Sequence, residues 1–197
     1  MNLTFKMMYW GPLLFKCEMS KQHVKQLKQI INVKNPHDTK LAGVIKDQHQ
    51  LTISQMDKFR EITNGYMQAF GRAYQTYYNK KGKLFVDIVD VWTNFMKPGD
   101  FNPLHVHQGC DFSSVIFLDV PDKLIKEQKS FKGTGHGPAA LTFLTSVDKK
   151  DFITSHSFHP TTGQFFIFPK DLYHFVTPFK SKCTRISMAA NFNVRYK

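Results

Sequence analysis

The sequence predicts a mainly β fold preceded by helices, and two observations carry that reading. Before residue 84 the apolar residues recur at spacings of three and four, the period of one helix face. From Leu84 onward, short runs of β-branched and aromatic residues alternate with Gly, Pro, Asp or Lys clusters. Many short strands at that spacing describe a sandwich or barrel-like β core.

The elements follow in order. Residues 3–17 are apolar and irregular, with a turn at Trp10-Gly11-Pro12 and a short strand at Leu13, Leu14 and Phe15. Ser20 is a candidate N-cap for a first helix over about 20–33, with Val24, Leu27, Ile30 and Ile31 on one face. Asn35-Pro36-His37-Asp38 ends it, and 36–50 reads as a surface loop. A longer helix is expected to start near Ser54, with Asp57 three residues later in a capping-box arrangement. Met56, Phe59, Ile62, Tyr66, Phe70, Tyr74 and Tyr77 form its stripe, read as core, and Asn79-Lys80-Lys81-Gly82 closes it. A strand is expected from Leu84 to about Met96, then a turn at Pro98-Gly99-Asp100, then strands over 112–120, 139–146, 152–158, 164–168, 173–178 and 184–194. Residues 129–138 form the most flexible-looking stretch and a candidate lid or substrate loop. The whole reads as a single domain, 1–197, with 1–83 a helical support region and 84–197 the β core.

Composition narrows the class. A hydrophobic content of 42% and a charged content of 21% are ordinary for a globular protein. No apolar run approaches the roughly 20 residues that span a bilayer, and the N-terminus lacks a signal peptide's apolar stretch. The expected location is therefore the cytoplasm (the host cell's, for a viral chain), with no membrane partner. Cys17, Cys110 and Cys183 are odd in number and far apart, so they read as reduced thiols. The formal net charge of +12 admits a nucleic-acid partner, but its lysines are scattered and no recognition motif accompanies them.

The chemistry concentrates in a few residues. His105 and His107 alternate by two, so on a strand both side chains reach the same face. His174 joins them if the chain folds back. Three such ligands leave open positions on a divalent metal, the logic of a facial triad. The usual iron triad has two histidines and one carboxylate, and Asp111, four residues after His107, is an alternative third ligand, with Asp100 a weaker one. Arg185 supplies a fixed positive fork for a carboxylate. Ser187 shares its strand face, and Asn94 on an earlier strand is a further donor.

Several segments together resemble the 2-oxoglutarate- and Fe(II)-dependent oxygenase superfamily, in its small bacterial and phage branch related to prolyl-hydroxylase-like domains. They are Pro98-Gly99-Asp100-Phe101-Asn102-Pro103-Leu104-His105-Val106-His107, Phe112 to Leu118, Gly163 to Pro169, His174 to Phe179, and Arg185-Ile186-Ser187. The resemblance implies a double-stranded β-helix (jelly-roll, cupin-like) whose open end holds Fe(II). It implies His105 as the proximal and His174 as the distal histidine, with Arg185, assisted by Ser187, on the distal carboxylate of 2-oxoglutarate. His107 stands where that family normally has its aspartate. The implied activity is a dioxygenase: O2 and 2-oxoglutarate are consumed, succinate is formed and a C–H bond is hydroxylated, in a peptidyl residue or an amino-acid-like small molecule.

Two other classes fit parts of the sequence. A cupin-like isomerase or a dioxygenase without cosubstrate would need the histidines but not Arg185. A non-catalytic basic binding module would need neither. Oligomeric state is not legible.

Overall fold

The computed structural model describes residues 3–9, 11–37, 42–145 and 155–196. The expectations on Trp10, Asp38, residue 146 and residues 152–154 lie outside the described residues. In chain order the elements are β1 (Phe5–Tyr9), β2 (Leu13–Glu18), α1 (Lys21–Gln29), β3 (Gln48–Gln50), α2 (Ile53–Tyr77), β4 (Leu84–Met96) and β5 (Asn102–His105). They continue with β6 (Phe112–Asp119), α3 (Asp122–Ser130), β7 (Leu141–Leu144), β8 (Ser155–Phe158), β9 (Gln164–Pro169), β10 (Tyr173–Val176) and β11 (Arg185–Tyr196).

The strands form two antiparallel sheets. The larger has the order β1-β2-β9-β6-β11-β4-β3, the smaller β5-β10-β7-β8. Phe117, Phe166 and Phe168 of the large sheet and Leu141, Phe143 and Val176 of the small one pack into a single buried cluster, so the two sheets close on each other. This is the expected double-stranded β-helix.

Strand alternation splits the large sheet into two chemistries. Met188, Ala190 and Phe192 of β11 face outward onto α2, where Phe70 meets Phe15, Phe112 and Phe192 at ring-centroid distances of 5.8, 5.1 and 5.6 Å. The intervening residues Arg185, Ser187, Ala189 and Asn191 line the space between the sheets. The aromatic stripe of α2 is thus core, as its period predicts.

The helix ends differ from expectation for local reasons. Ser20 does cap α1, its side chain accepting from His23 N at 3.2 Å. The helix stops at Gln29, and Asn32 Oδ1 then accepts from Lys34 N at 3.0 Å, a side-chain turn that competes with further helix. For α2 the box begins at Thr52, whose N donates to Gln55 Oε1 at 2.8 Å. Asp57 instead pairs with Arg60.

The N-terminal region is more than a helical support. It supplies β1, β2 and β3 to the large sheet, with β2 hydrogen-bonded to β9. The turn into β9 locks that joint: Met19 N donates to Gly163 O and Gly163 N to Phe117 O, both at 2.8 Å. Gly163 has φ +98°, and a Cβ there would lie 3.2 Å from Met19 O, so only glycine suits the position. Among the described residues no helix is long and apolar enough to cross a membrane.

Candidate active site

The register of β10 against β5 sets His174 opposite His105. His107 lies two residues beyond the end of β5, not on the strand, and its backbone N donates to Lys170 O at 3.0 Å. A bend at the strand end, rather than strand alternation, brings it to the others. The ligand nitrogens of His105, His107 and His174 all lie within 4.8 Å of one another.

Two of the three rings have fixed tautomers. His105 Nδ1 donates to Pro103 O at 2.7 Å and His174 Nδ1 to Leu172 O at 2.8 Å. Each Nε2 therefore carries the lone pair a metal needs, which is the usual role of a carbonyl behind a ligating histidine. Burial above all, with His105 nearby, pushes His107 down to about 3. Burial, then His105 and His107, hold His174 well below the ordinary histidine value, and burial lowers His105 against the opposing Pro103 carbonyl. At neutral pH all three are neutral imidazoles. Three converging neutral nitrogens, one on a buried ring and two on half-buried ones, with no counter-charge within the set, fit a divalent cation.

The carboxylate alternatives are elsewhere. Asp111 Oδ2 accepts from Val194 N at 2.9 Å, and Asp100 Oδ2 accepts from Lys97 N at 2.8 Å. Cys110 is buried, and that burial raises its thiol pKa, opposite to what a thiolate ligand needs.

A cavity of about 600 Å3 opens beside the histidines. Arg185 reaches it from the start of β11 and is 2% exposed. Its Nη1 donates to Ala139 O at 3.1 Å, its Nε has no hydrogen-bond partner, and its guanidinium lies 5.2 Å over the Phe117 ring. Burial brings its pKa down to about 10, so it remains charged at neutral pH. A buried cation with no carboxylate partner among the described residues is costly unless an anion arrives. Ser187 and Asn94 are directly paired across β11 and β4, two positions along from Arg185 and its partner Met96. Both are buried, and the Asn94 oxygen accepts from Gln48 Nε2, leaving its amide N–H groups as donors. The structure brings His105, His107, His174, Arg185, Ser187 and Asn94 to one cavity.

The expected lid is placed differently. Residues 131–138 lie against the outer face of the small sheet, where His136 Nδ1 meets Ser157 Oγ at 2.7 Å and Thr177 Oγ1 donates to Gly137 O at 2.5 Å. None of them lines the cavity. Sequence reading missed His37, Gln48, Asp90, Trp92 and Asn191, which do. The signal for Asp90 and Trp92 was present: they precede Asn94 at steps of two on one strand.

The family model for 2OG-Fe(II) oxygenases matches residues 90–191, the span that holds Asn94, His105, His107, His174, Arg185 and Ser187. No curated protein matches the chain. Among solved structures, a prolyl-4-hydroxylase from Pseudomonas putida is similar with TM-score 0.56 and 15% identity, covering 95% of this chain and 94% of that one. The viral collagen prolyl hydroxylase of Paramecium bursaria Chlorella virus-1, in its 2OG complex, gives 0.54 and 14%, covering 92% and 96%. A prolyl hydroxylase from Trichoplax adhaerens, in complex with a hypoxia inducible factor oxygen degradation domain peptide fragment, gives 0.53 and 10%, covering 87% and 74%. Those likenesses concern the fold, whereas the model match spans more than half of the sequence: the chain belongs to the 2OG-Fe(II) oxygenase family, enzymes that use Fe(II), 2-oxoglutarate and O2.

Proposed function

We propose that His105, His107 and His174 hold the iron, that Arg185 binds the distal carboxylate of 2-oxoglutarate with Ser187 and Asn94 assisting, and that the enzyme hydroxylates a C–H bond of a peptide or amino-acid-like substrate. The observation that carries this reading is the buried Arg185, whose Nε has no hydrogen-bond partner, in the same cavity as three converging neutral imidazoles. A cupin-like site without cosubstrate has no use for that guanidinium.

When bound, the iron and its cosubstrate supply the oxidising power that converts O2, 2-oxoglutarate and a C–H bond to hydroxylated product, succinate and CO2. The chain's own residues bind, orient and exclude water. Arg185 offers paired N–H donors to an anionic end, in a setting where burial makes each interaction stronger than in water. Ser187 Oγ and the Asn94 amide can donate to the same anion. The carbonyls of Pro103 and Leu172 hold Nδ1–H of His105 and His174, so neither ring can turn its lone pair away. Phe117, Phe168 and Leu141 form apolar wall, keeping the space between the sheets dry.

The prolyl-hydroxylase fold of the solved relatives supports a peptidyl or amino-acid substrate. The test is anaerobic addition of Fe(II) and 2-oxoglutarate to the purified protein. A visible metal-to-ligand charge-transfer band, lost in Arg185→Ala, is the expected result. Iron binding without a band in the wild type would overturn the reading.

A further inference from the structure

The cavity has two chemically opposite ends. Along β11 the inward row runs Arg185, Ser187, Ala189, Asn191, facing Met96, Asn94, Trp92 and Asp90 of β4 in register. Arg185 and Asn191 are six residues apart, about 20 Å along a strand. Among the described residues lining the cavity, Arg185 is the only arginine or lysine and Asp90 the only carboxylate. In a chain of net charge +12, a lone acid facing the reaction chamber stands out against the surface around it.

A backbone irregularity ends the inward row just past Asp90, which alternation with Trp92 and Asn94 already turns inward. Asn191 pairs with Asp90, but the next residue, Phe192, pairs with Ile88, so Val89 is left over as a bulge. Val91 and Ile88 both pack toward α2, three residues apart where plain alternation would need two. Asp90 is the last cavity-facing residue before that break. Bulges re-aim side chains in this way beside active sites.

The carboxylate is held but not saturated. Its Oδ1 accepts from Gln50 Nε2 at 2.8 Å, and His37 Nε2 stands 3.4 Å from Oδ2. A carboxylate has about four acceptor positions, and this side chain is still 21% exposed. Its cross-strand neighbour Asn191 adds a buried Oδ1 with no hydrogen-bond partner. Trp92 supplies an indole wall, its ring centroid 5.8 Å from His37 and 6.3 Å from His107. Asp90 is therefore joined to the histidine cluster through two ring contacts. Acceptor oxygens beside an indole wall make a site for a cationic nitrogen.

We propose that Asp90, backed by Asn191 and Trp92, selects a substrate bearing a cationic nitrogen, an ammonium or guanidinium of a free basic amino acid or of a lysyl or arginyl side chain. The inference rests on the functional reading above and names its substrate class. The reaction balances as R–H + O2 + 2-oxoglutarate → R–OH + succinate + CO2. One oxygen atom enters the C–H bond and the other the new carboxylate of succinate. The four electrons that reduce O2 come two from the C–H bond and two from the decarboxylated keto acid. The cationic nitrogen is not consumed. It is held at Asp90 while a carbon along the same side chain faces the histidines.

The test uses the iron-loaded protein with 2-oxoglutarate and O2. Succinate and the oxygenated product are measured with L-lysine, L-arginine, their neutral isosteres L-norleucine and L-citrulline, blocked pentapeptides with a central Lys or Arg, and a blocked prolyl peptide. We expect the cationic members to raise succinate formation above the substrate-free rate, with kcat/KM at least about tenfold over the neutral isosteres, the scale of a lost charged hydrogen bond. The free amino acids against the peptides identify the source of the cation. In Asp90→Asn that ratio, taken within one preparation, collapses toward unity, chiefly through KM. Calorimetric binding of the preferred cationic compound to the Mn(II)-loaded, O2-free protein weakens in parallel. Equal use of neutral or prolyl substrates, no stimulation by any cationic member, or a ratio that survives in Asp90→Asn overturns the proposal. A wild type with no 2-oxoglutarate turnover and no charge-transfer band is the separate failure of the functional reading itself.

Discussion

His107 Nε2 and His174 Nε2 stand 3.2 Å apart, with their rings 12° from parallel. Since His174 donates through Nδ1 to Leu172, its Nε2 presents a lone pair to the other ring. Two nitrogens bound at right angles to one ion, each at about 2.1 Å, would be about 3.0 Å apart. The pair is therefore already spaced for a shared cation before any ion is added.

That spacing predicts metal-linked stability. An ion that binds only the folded chain adds about 2.7 kcal/mol at a hundredfold excess over its Kd, or about 5–10 °C in Tm for a domain of this size. We expect a shift on that scale with Fe(II) under anaerobic conditions, or with Mn(II), by differential scanning calorimetry. His107→Ala should abolish it. A shift retained in His107→Ala would remove His107 from the ligand set.

Asp111 gives the complementary prediction. Its carboxylate bonds Val194 N near the end of β11, so Asp111→Asn should leave metal affinity unchanged. Weakening one charge-assisted hydrogen bond should cost about 1 kcal/mol of stability. Metal titration and urea unfolding of the same variant separate the two. A large loss of affinity at full folding would return Asp111 to the site.

Glu127 links acid sensitivity to the turn that leads into β11. Its Oε1 accepts from Lys180 N at 2.9 Å and its Oε2 from Ser181 N at 2.7 Å, four to five residues before Arg185. Burial raises its pKa, but the Ser181 and Lys180 donors more than reverse that, and the net value is lowered below 4.5. A folded pKa below the unfolded one stabilises the protein above the unfolded pKa, and that share is lost as pH falls through the folded value. Because the group is largely solvated, the share is under about 1 kcal/mol. Wild type should thus exceed Glu127→Gln in stability at pH 7, with the gap closing as pH falls below 4.5 and through the lowered folded value. Urea midpoints across that range check it, and a constant gap would contradict it.

Much of this architecture was legible because side-chain period tracks burial. The α2 stripe and the long β4 and β11 runs carry enough apolar residues to declare themselves. β5 did not, because Asn102-Pro103 reads as turn chemistry, and a proline is tolerated there only because the strand is at a sheet edge. α3 was hidden by its polarity: Leu124 is its one buried residue, and Pro121 at the N-cap reads as a break. β3 is three residues long inside an expected loop. In the site, His105, His174 and Arg185 could be found by type and spacing. Asp90 lies on the same alternation as Asn94, but its meeting with Asn191 depends on a cross-strand register that only the folded sheet defines.

Arg185 offers the sharpest separation of stability from function. A buried guanidinium with one carbonyl partner and, among the described residues, no carboxylate pays desolvation that its contacts repay poorly. Arg185→Met keeps the length and the contact with Phe117 while removing the charge, at the cost of leaving Ala139 O without that donor. The substitution should therefore be near neutral in chemical denaturation, or stabilising by about 1–2 kcal/mol. The same change should raise the KM for 2-oxoglutarate by about a hundredfold or more, as loss of a buried charge-assisted contact implies. Metal affinity should hold, because the histidines are fixed by Pro103 and Leu172 rather than by Arg185. A variant that binds 2-oxoglutarate normally, or one that unfolds outright, would show that the guanidinium serves the core instead of the cosubstrate.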